Sequence, residues 1–287
     1  MILVTGATGQ LGRVVIEHLL KQGDAGQVAA FVRDEGKAAD LKAKGVDVRM
    51  GDYDDVASLD RAMKGVEKVL LISGTDLENV VRQHGNVVDA AKRAGARFLA
   101  YTGRAMRDPS APKSHLMEGH FETEDLVRES GLTYALFRNA LYMDTLRYFL
   151  GKGETFETDI RLPSGHGKVA YALRVELGEA IANALLREGG EDRVYTLTAG
   201  EAWSFDDVAR ALGELSGKPV TYTPTDKATF EALMRGRGVP GPMAELVYSF
   251  HRDIRDGQLD EVTPELEELL GRKPASLEAG LKSLFHL

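Results

Sequence analysis

Over the first 140 residues, short β-branched apolar runs alternate with stretches whose apolar positions recur at helical spacing. That rhythm predicts an open, doubly wound α/β fold, a parallel sheet with helices on both faces. The runs are Ile2–Val4, Val28–Val32, Val46–Met50, Lys68–Ile72, Arg97–Tyr101 and Tyr134–Phe137, each short and apolar, as strands buried on both faces are. Leu11, Val14, Val15, Leu19 and Leu20 mark the apolar face of a helix over 11–21, and Val80, Val81, Val87, Val88 and Ala91 mark another over 80–94. Shorter helices are predicted over 38–44 and 58–63, each followed by a glycine, Gly45 or Gly65, suited to a left-handed C-cap.

Past residue 150 the rhythm breaks at Gly151-Lys-Gly153 and Leu162-Pro-Ser-Gly-His-Gly167, and helical patterns then dominate. The expected division is a first domain over 1–150 and a smaller, mostly helical lobe over 151–287. Within the lobe, a helix is predicted over 175–186, a strand over 194–197 and a helix over 204–216 opened by the capping pattern Ser204-Phe-Asp-Asp207. Thr263-Pro264 reads as a cap followed by a first-turn proline.

Composition narrows the function. Of 287 residues, 43% are hydrophobic and 28% charged, which fits a folded globular chain. The net charge of -8 opposes a polyanionic partner, so nucleic acid is not expected. The absence of cysteine excludes thiol nucleophiles, disulfides, thiolate zinc sites and iron–sulfur clusters. No leader pattern or membrane-length apolar run is seen, so a cytoplasmic protein without a membrane partner is the expectation.

The strongest motif is Gly6-Ala-Thr8-Gly9-Gln10-Leu11-Gly12, placed where the first strand ends and the first helix begins. Glycines there permit a tight turn, close approach of a pyrophosphate and close helix packing, while the helix N-terminus supplies N–H groups and dipole. A dinucleotide site follows. The second strand ends Phe31-Val-Arg33-Asp34. An arginine there suits the 2′-phosphate of NADP(H), whereas an acid suits the ribose hydroxyl of NAD(H), so NADP(H) is preferred and NAD(H) stays the alternative. Arg13 either assists at the phosphate or is a surface residue.

The Gly-x-x-Gly-x-x-Gly spacing resembles the NmrA-like branch of the atypical short-chain dehydrogenases/reductases. Phe31-Val-Arg33, Gly51-Asp-Tyr53, Leu70-Leu-Ile-Ser73, Ala100-Tyr-Thr102, His120-Phe-Glu-Thr-Glu124 and Phe137-Arg-Asn-Ala-Leu-Tyr142 are similar to bacterial NAD(P)H:quinone oxidoreductases and triphenylmethane dye reductases. The resemblance implies a Rossmann-type domain and a small C-terminal substrate lobe, with the substrate between them. It places Asp52 and Tyr53 near the adenine, Ser73 and Gly74 on the nicotinamide side, and Thr102 at the end of the fifth strand. Asp52 could instead start the next helix, and Tyr53 could close a core edge.

The Tyr-x-x-x-Lys pair of ordinary short-chain dehydrogenases, where lysine tunes a proton-exchanging phenol, is missing from the helix over 118–130. Tyr148-Phe-Leu-Gly-Lys152 matches it by chance, one strand too late. By the resemblance, His120 takes the catalytic position, either donating a proton as imidazolium or orienting nicotinamide and substrate. His84 and Asn86 read as structural. Without the phenol, the expected acceptor is already electron-poor, a quinone or another flat aromatic molecule needing no acid to polarise a carbonyl. Tyr142 is the expected aromatic contact, among the candidate walls Met106, Met143, Leu146, Tyr148 and Phe149, which at helical spacing could equally be core. Arg104 and Arg107 depart from the family pattern and would favour an anionic substituent if they face the pocket. The expectation is an NAD(P)H-dependent reductase without metal or flavin. The alternative is a non-catalytic NADP-binding redox sensor, and a homodimer is left open.

Overall fold

The computed structural model describes residues 1–74, 76, 78–111, 114–152, 155–187 and 190–287; Gly153 of the turn-rich break lies outside them. They form two compact units. The first comprises Met1–Arg104, His115–Asn139 and Arg174–Thr196, and the second Ala105–Ser114, Ala140–Leu173 and Leu197–Leu287. The units therefore interleave along the chain rather than dividing once near residue 150.

The first unit is built on strands β1 (Ile2–Val4), β2 (Val28–Val32), β3 (Asp47–Met50), β4 (Lys68–Ile72), β5 (Phe98–Arg104) and β6 (Thr133–Asn139). With a seventh strand, Arg193–Leu197, next to β6, the sheet order from that edge is seventh, β6, β5, β4, β1, β2, β3. β1 pairs in parallel with both β2 and β4, its Leu3 lying between Ala29 and Val69. β2 with β3, β4 with β5 and β5 with β6 are parallel as well. All five residues of β2 and all seven of β5 are buried, as strands covered on both faces must be. The covering helices include α1 (Gln10–Gln22), α2 (Ala39–Ala43), α3 (Val56–Ala62), α4 (Val80–Arg93) and α5 (His115–Arg128). One face of the sheet packs Leu3, Phe31, Leu71 and Leu136 against Leu59 of α3, Val87 of α4 and Val127 of α5.

The helix Arg174–Leu186 and the strand after it, expected in the C-terminal lobe, belong to the first unit. Their packing explains why. A Cβ on Gly178 would lie 2.4 Å from Val14 Cγ1, so this helix approaches α1 as closely as only glycine allows. Phe137 of β6 stacks on Tyr195 of the strand, with ring centroids 5.3 Å apart. The strand thus completes the seven-stranded sheet by a pairing distant in sequence.

The second unit has its own core, centred on Tyr171, Phe205, Phe230, Ile254 and Leu281. It holds a short parallel pair, Asp159–Leu162 with Thr221–Pro224. Its helix Phe205–Ser216 opens with the predicted capping box, Ser204 and Asp207 exchanging bonds. At Thr263-Pro264 the structure differs: Pro264 is the N-cap of the helix Glu265–Leu270. Thr263 is held elsewhere, its N–H donating to Thr198 Oγ1 at 2.9 Å.

Candidate active site

At the end of β1 the chain turns through Gly6, whose φ of +58° lies in the left-handed region, and Gly9 N–H donates to Gly6 O at 2.9 Å. Gly9 is the N-cap of α1, and no side chain caps the helix. The first-turn N–H groups of Gln10, Leu11 and Gly12 are the ones a helix leaves without intrahelical acceptors, and the dipole there favours an anion. Gly6, Gly9 and Gln10 are exposed and Thr8 is half-buried, while the Leu11 side chain is buried and anchors the helix to the core. A Cβ on Gly12 would sit 2.4 Å from Gly6 O and 2.9 Å from Ala7 Cα. Glycine at 12 is thus what lets the loop fold back onto the helix, a backbone cradle of the kind that dinucleotide-binding loops use for phosphate.

Arg33, following β2, is exposed and makes no hydrogen bond or ion pair among the described residues. Its neighbour Asp34 is engaged in its own turn, Oδ1 accepting from Gly36 N–H at 2.9 Å and Oδ2 lying 4.0 Å from Lys37 Nζ. The guanidinium is therefore the available charge at this strand end. Arg13 is already held, to Asp40 Oδ2 at 2.5 Å and Lys37 O at 2.6 Å, which ties α1 to α2 and the turn before it. That contact, with Arg13 as the first cause, holds the Asp40 carboxyl below its usual range.

Asp52 accepts from Asp54 N–H at 2.9 Å through Oδ1, and the N-cap of α3 is Asp55 rather than Asp52. Tyr53 stacks on Phe31 at 6.0 Å with planes 2° apart, its hydroxyl donating to Ile72 O at 3.3 Å. Burial pushes that phenol up to about 12, so it stays neutral. Beyond β4, Ser73 N–H donates to Thr102 Oγ1 of β5 at 3.3 Å. Gly74 N–H donates to His84 Nε2 at 3.0 Å.

His84 is fully buried on α4. Thr123 Oγ1 donates to Gly119 O at 2.7 Å, so His84 Nδ1–H donates to Thr123 at 2.9 Å and Nε2 is free to accept from Gly74. Burial, then the nearby His120, depresses its pKa to about 3, consistent with a neutral ring in one tautomer. Read as structural from sequence, His84 is a strut that fixes the Ser73–Gly74 backbone. Its place on the apolar face, four residues after Val80, was the available signal.

His120 lies on α5 over β5, half-buried, with Nδ1 2.8 Å from the Tyr101 hydroxyl. Burial, then the positive Arg104, lowers its pKa to about 4. A ring with that pKa is neutral near pH 7, the form that hydrogen-bonds through one N–H and one bare nitrogen. Tyr101 was not singled out in the sequence. Arg104, at the end of β5, is buried. Nearby, the buried Glu124 accepts from Arg138 Nε and Nη2 at 2.8 and 2.7 Å and from Arg128 at 2.8 Å, riveting α5 to β6.

The expected acceptor walls separate differently. Tyr142 belongs to the second unit, half-buried, in an isolated parallel bridge with Ala172. Met143 and Leu146 are fully buried core, and Phe149 packs on Phe205 and His251. Tyr148 is 72% exposed, and Met106 is buried and lines a small cleft with Leu141 and Thr198. Arg107 pairs with Asp260 at 3.0 Å and is largely exposed. Among the described residues no group of three or more His, Asp or Glu could hold a metal ion, and no helix is long and apolar enough to cross a membrane.

Sheet order and glycine cradle together define a Rossmann-type dinucleotide-binding α/β fold. The chain belongs to the NmrA-like family, whose profile matches residues 1–279. It is 37% identical over 288 residues to quinone oxidoreductase 2 of Escherichia coli (strain K12), covering 100% of this chain and 99% of that one. It is 30% identical over 273 residues to the NAD(P)H azoreductase of Xenophilus azovorans, covering 91% of each. The solved structure of Citrobacter sp. triphenylmethane reductase complexed with NADP(H) superposes with a TM-score of 0.90 at 37% identity, covering 99% of this chain and 100% of that chain.

Proposed function

We propose that this chain is an NAD(P)H-dependent reductase that prefers NADPH and acts on quinones or other electron-poor aromatic acceptors. One observation carries the reading: a glycine-built backbone turn at the start of α1, with an arginine after β2 that makes no hydrogen bond or ion pair among the described residues, in a chain similar end to end to named reductases. The first-turn N–H groups after Gly9 would hold the diphosphate and Arg33 the 2′-phosphate. Asp52 and Tyr53 would border the adenine, with Ser73, Gly74 and Thr102 along the nicotinamide. Bound there, a reduced nicotinamide supplies a hydride to a planar acceptor.

The chain's own contribution is then positioning. α5 carries no tyrosine–lysine pair, and His120 is neutral at physiological pH. Both facts suit acceptors that take hydride without prior protonation. The similarity to reductases favours turnover over a non-catalytic sensor.

Steady-state NADPH oxidation by flavin-free protein, across small quinones and a triphenylmethane dye with NADH in parallel, tests this. Turnover without added flavin and with NADPH preferred supports it. Saturable NADPH binding with no turnover on any acceptor overturns it in favour of the sensor.

A further inference from the structure

The phenol nearest His120 sits on β5 itself, not on the following helix. Tyr101 is fully buried, and its hydroxyl lies 2.8 Å from His120 Nδ1. A phenol O–H is a far stronger acid than a neutral imidazole N–H, and an imidazole nitrogen is a stronger acceptor than a phenol oxygen, so the hydroxyl donates and Nδ1 accepts. The ring proton is then on Nε2, which makes no hydrogen bond among the described residues and is not a buried orphan.

The surroundings hold the pair in place. The Tyr101 ring meets the edge of His84 at 5.5 Å. At position 103, a Cβ would come within 3.3 Å of Tyr101 Cε1 and 3.8 Å of His120 Nδ1, so the missing side chain leaves room for the bond. Arg104 adds a buried positive charge that acts on His120.

We propose that Tyr101 is a positioning residue that locks His120 as the Nε2–H tautomer, and that this N–H donates to the oxygen of a quinone-type acceptor, making the site selective for carbonyl acceptors over carbocationic dyes. The proposal rests on the reductase reading above. When a quinone takes two electrons and a proton as hydride from the reduced nicotinamide, negative charge is left on oxygen. Nε2–H stabilises that charge by a hydrogen bond. Water supplies the proton that completes the hydroquinone, and His120 keeps its own. A dye carbocation takes the hydride at carbon and develops no oxyanion, so the same N–H gains it nothing.

Two measurements test this. In the free protein, ¹⁵N NMR of labelled histidines should show His120 Nε2 carrying the proton and Nδ1 bare, with Tyr101→Phe shifting the ring to a mixed or reversed tautomer. A proton on Nδ1 in the wild type overturns the tautomer assignment whether or not the protein turns over. Second, the ratio of quinone to dye kcat should fall about tenfold in Tyr101→Phe and further in His120→Leu. His120→Gln, whose amide N–H falls where Nε2–H was, should recover part of it. A ratio unchanged in both Tyr101→Phe and His120→Leu overturns the selectivity. Wild-type protein that reduces neither acceptor overturns the reductase reading and the donor role with it, while the NMR result on the free protein still judges the tautomer separately.

Discussion

Substituting Gly12 by alanine perturbs the nucleotide cradle with a single methyl group. The new Cβ would lie 2.4 Å from Gly6 O, 2.9 Å from Ala7 Cα and 3.0 Å from Gly6 C. All three neighbours are backbone, so no rotamer can yield. Restoring ordinary contact of roughly 3.5 Å needs a shift of about 1 Å between the loop and the start of α1. Overpacking of this kind costs about 1–3 kcal/mol. The shift also moves the N–H groups after Gly9, and charge-assisted hydrogen bonds to phosphate are worth about 1.5–3 kcal/mol each. Loss of one such bond weakens NADPH binding roughly 10- to 100-fold. Calorimetric titration with NADPH, alongside a thermal melt, measures both effects. Gly23→Ala, beyond the far end of the same helix and with its new Cβ 3.6 Å from Leu19 O, should change neither. Wild-type NADPH affinity in Gly12→Ala would refute the cradle argument.

Three further outcomes are expected. Arg33→Ala should weaken NADPH by about tenfold or more and NADH little if, as proposed, the guanidinium holds the 2′-phosphate; an unchanged ratio of the two dissociation constants removes the basis for NADP preference. His84 and His251 are fully buried, and burial is the first cause depressing each to about 3 in the folded state from 6.5. Their stabilising contribution is complete above pH 6.5 and is lost as pH falls toward 3, since only the unfolded chain takes up the protons. Between pH 7 and 5 the loss is roughly 2 kcal/mol per histidine, and urea midpoints measured at pH 7, 6 and 5 should fall accordingly; a midpoint constant over that span counts against it. Glu124→Ala strips Arg128 and Arg138 of their shared buried carboxylate and should destabilise the protein by about 3 kcal/mol, read as a lowered denaturation midpoint, whereas a change under ~0.5 kcal/mol would mean that α5 is held by apolar packing alone.

The sheet was legible because strands buried on both faces are apolar runs, and the first four end within a residue of where the pattern puts them. β5 and β6 extend further because Gly103 and Arg104 continue in register with Arg138 and Asn139. An apolar run cannot signal that extension. The strand Arg193–Leu197 was legible, but its place beside β6 was not, since that pairing spans more sequence than any local pattern reports. At the site, the glycine loop carries its geometry in its spacing. The Tyr101 contact to His120 does not, because it joins a strand to a helix across nineteen residues. The partners of Arg13, which are Asp40 and the Lys37 carbonyl, are likewise set by tertiary contact, whereas Asp34 is held within its own turn.

The central claim is that this chain moves a hydride from NADPH to an electron-poor acceptor without a second cofactor. A single-turnover experiment tests it most directly: flavin-free protein in excess over NADPH, mixed rapidly with a small quinone, following nicotinamide absorbance and reduced acceptor together. Direct hydride transfer makes the nicotinamide signal disappear at a rate set by the protein, with one acceptor reduced per NADPH oxidised. NADPH that binds and stays reduced in the presence of every acceptor would contradict it.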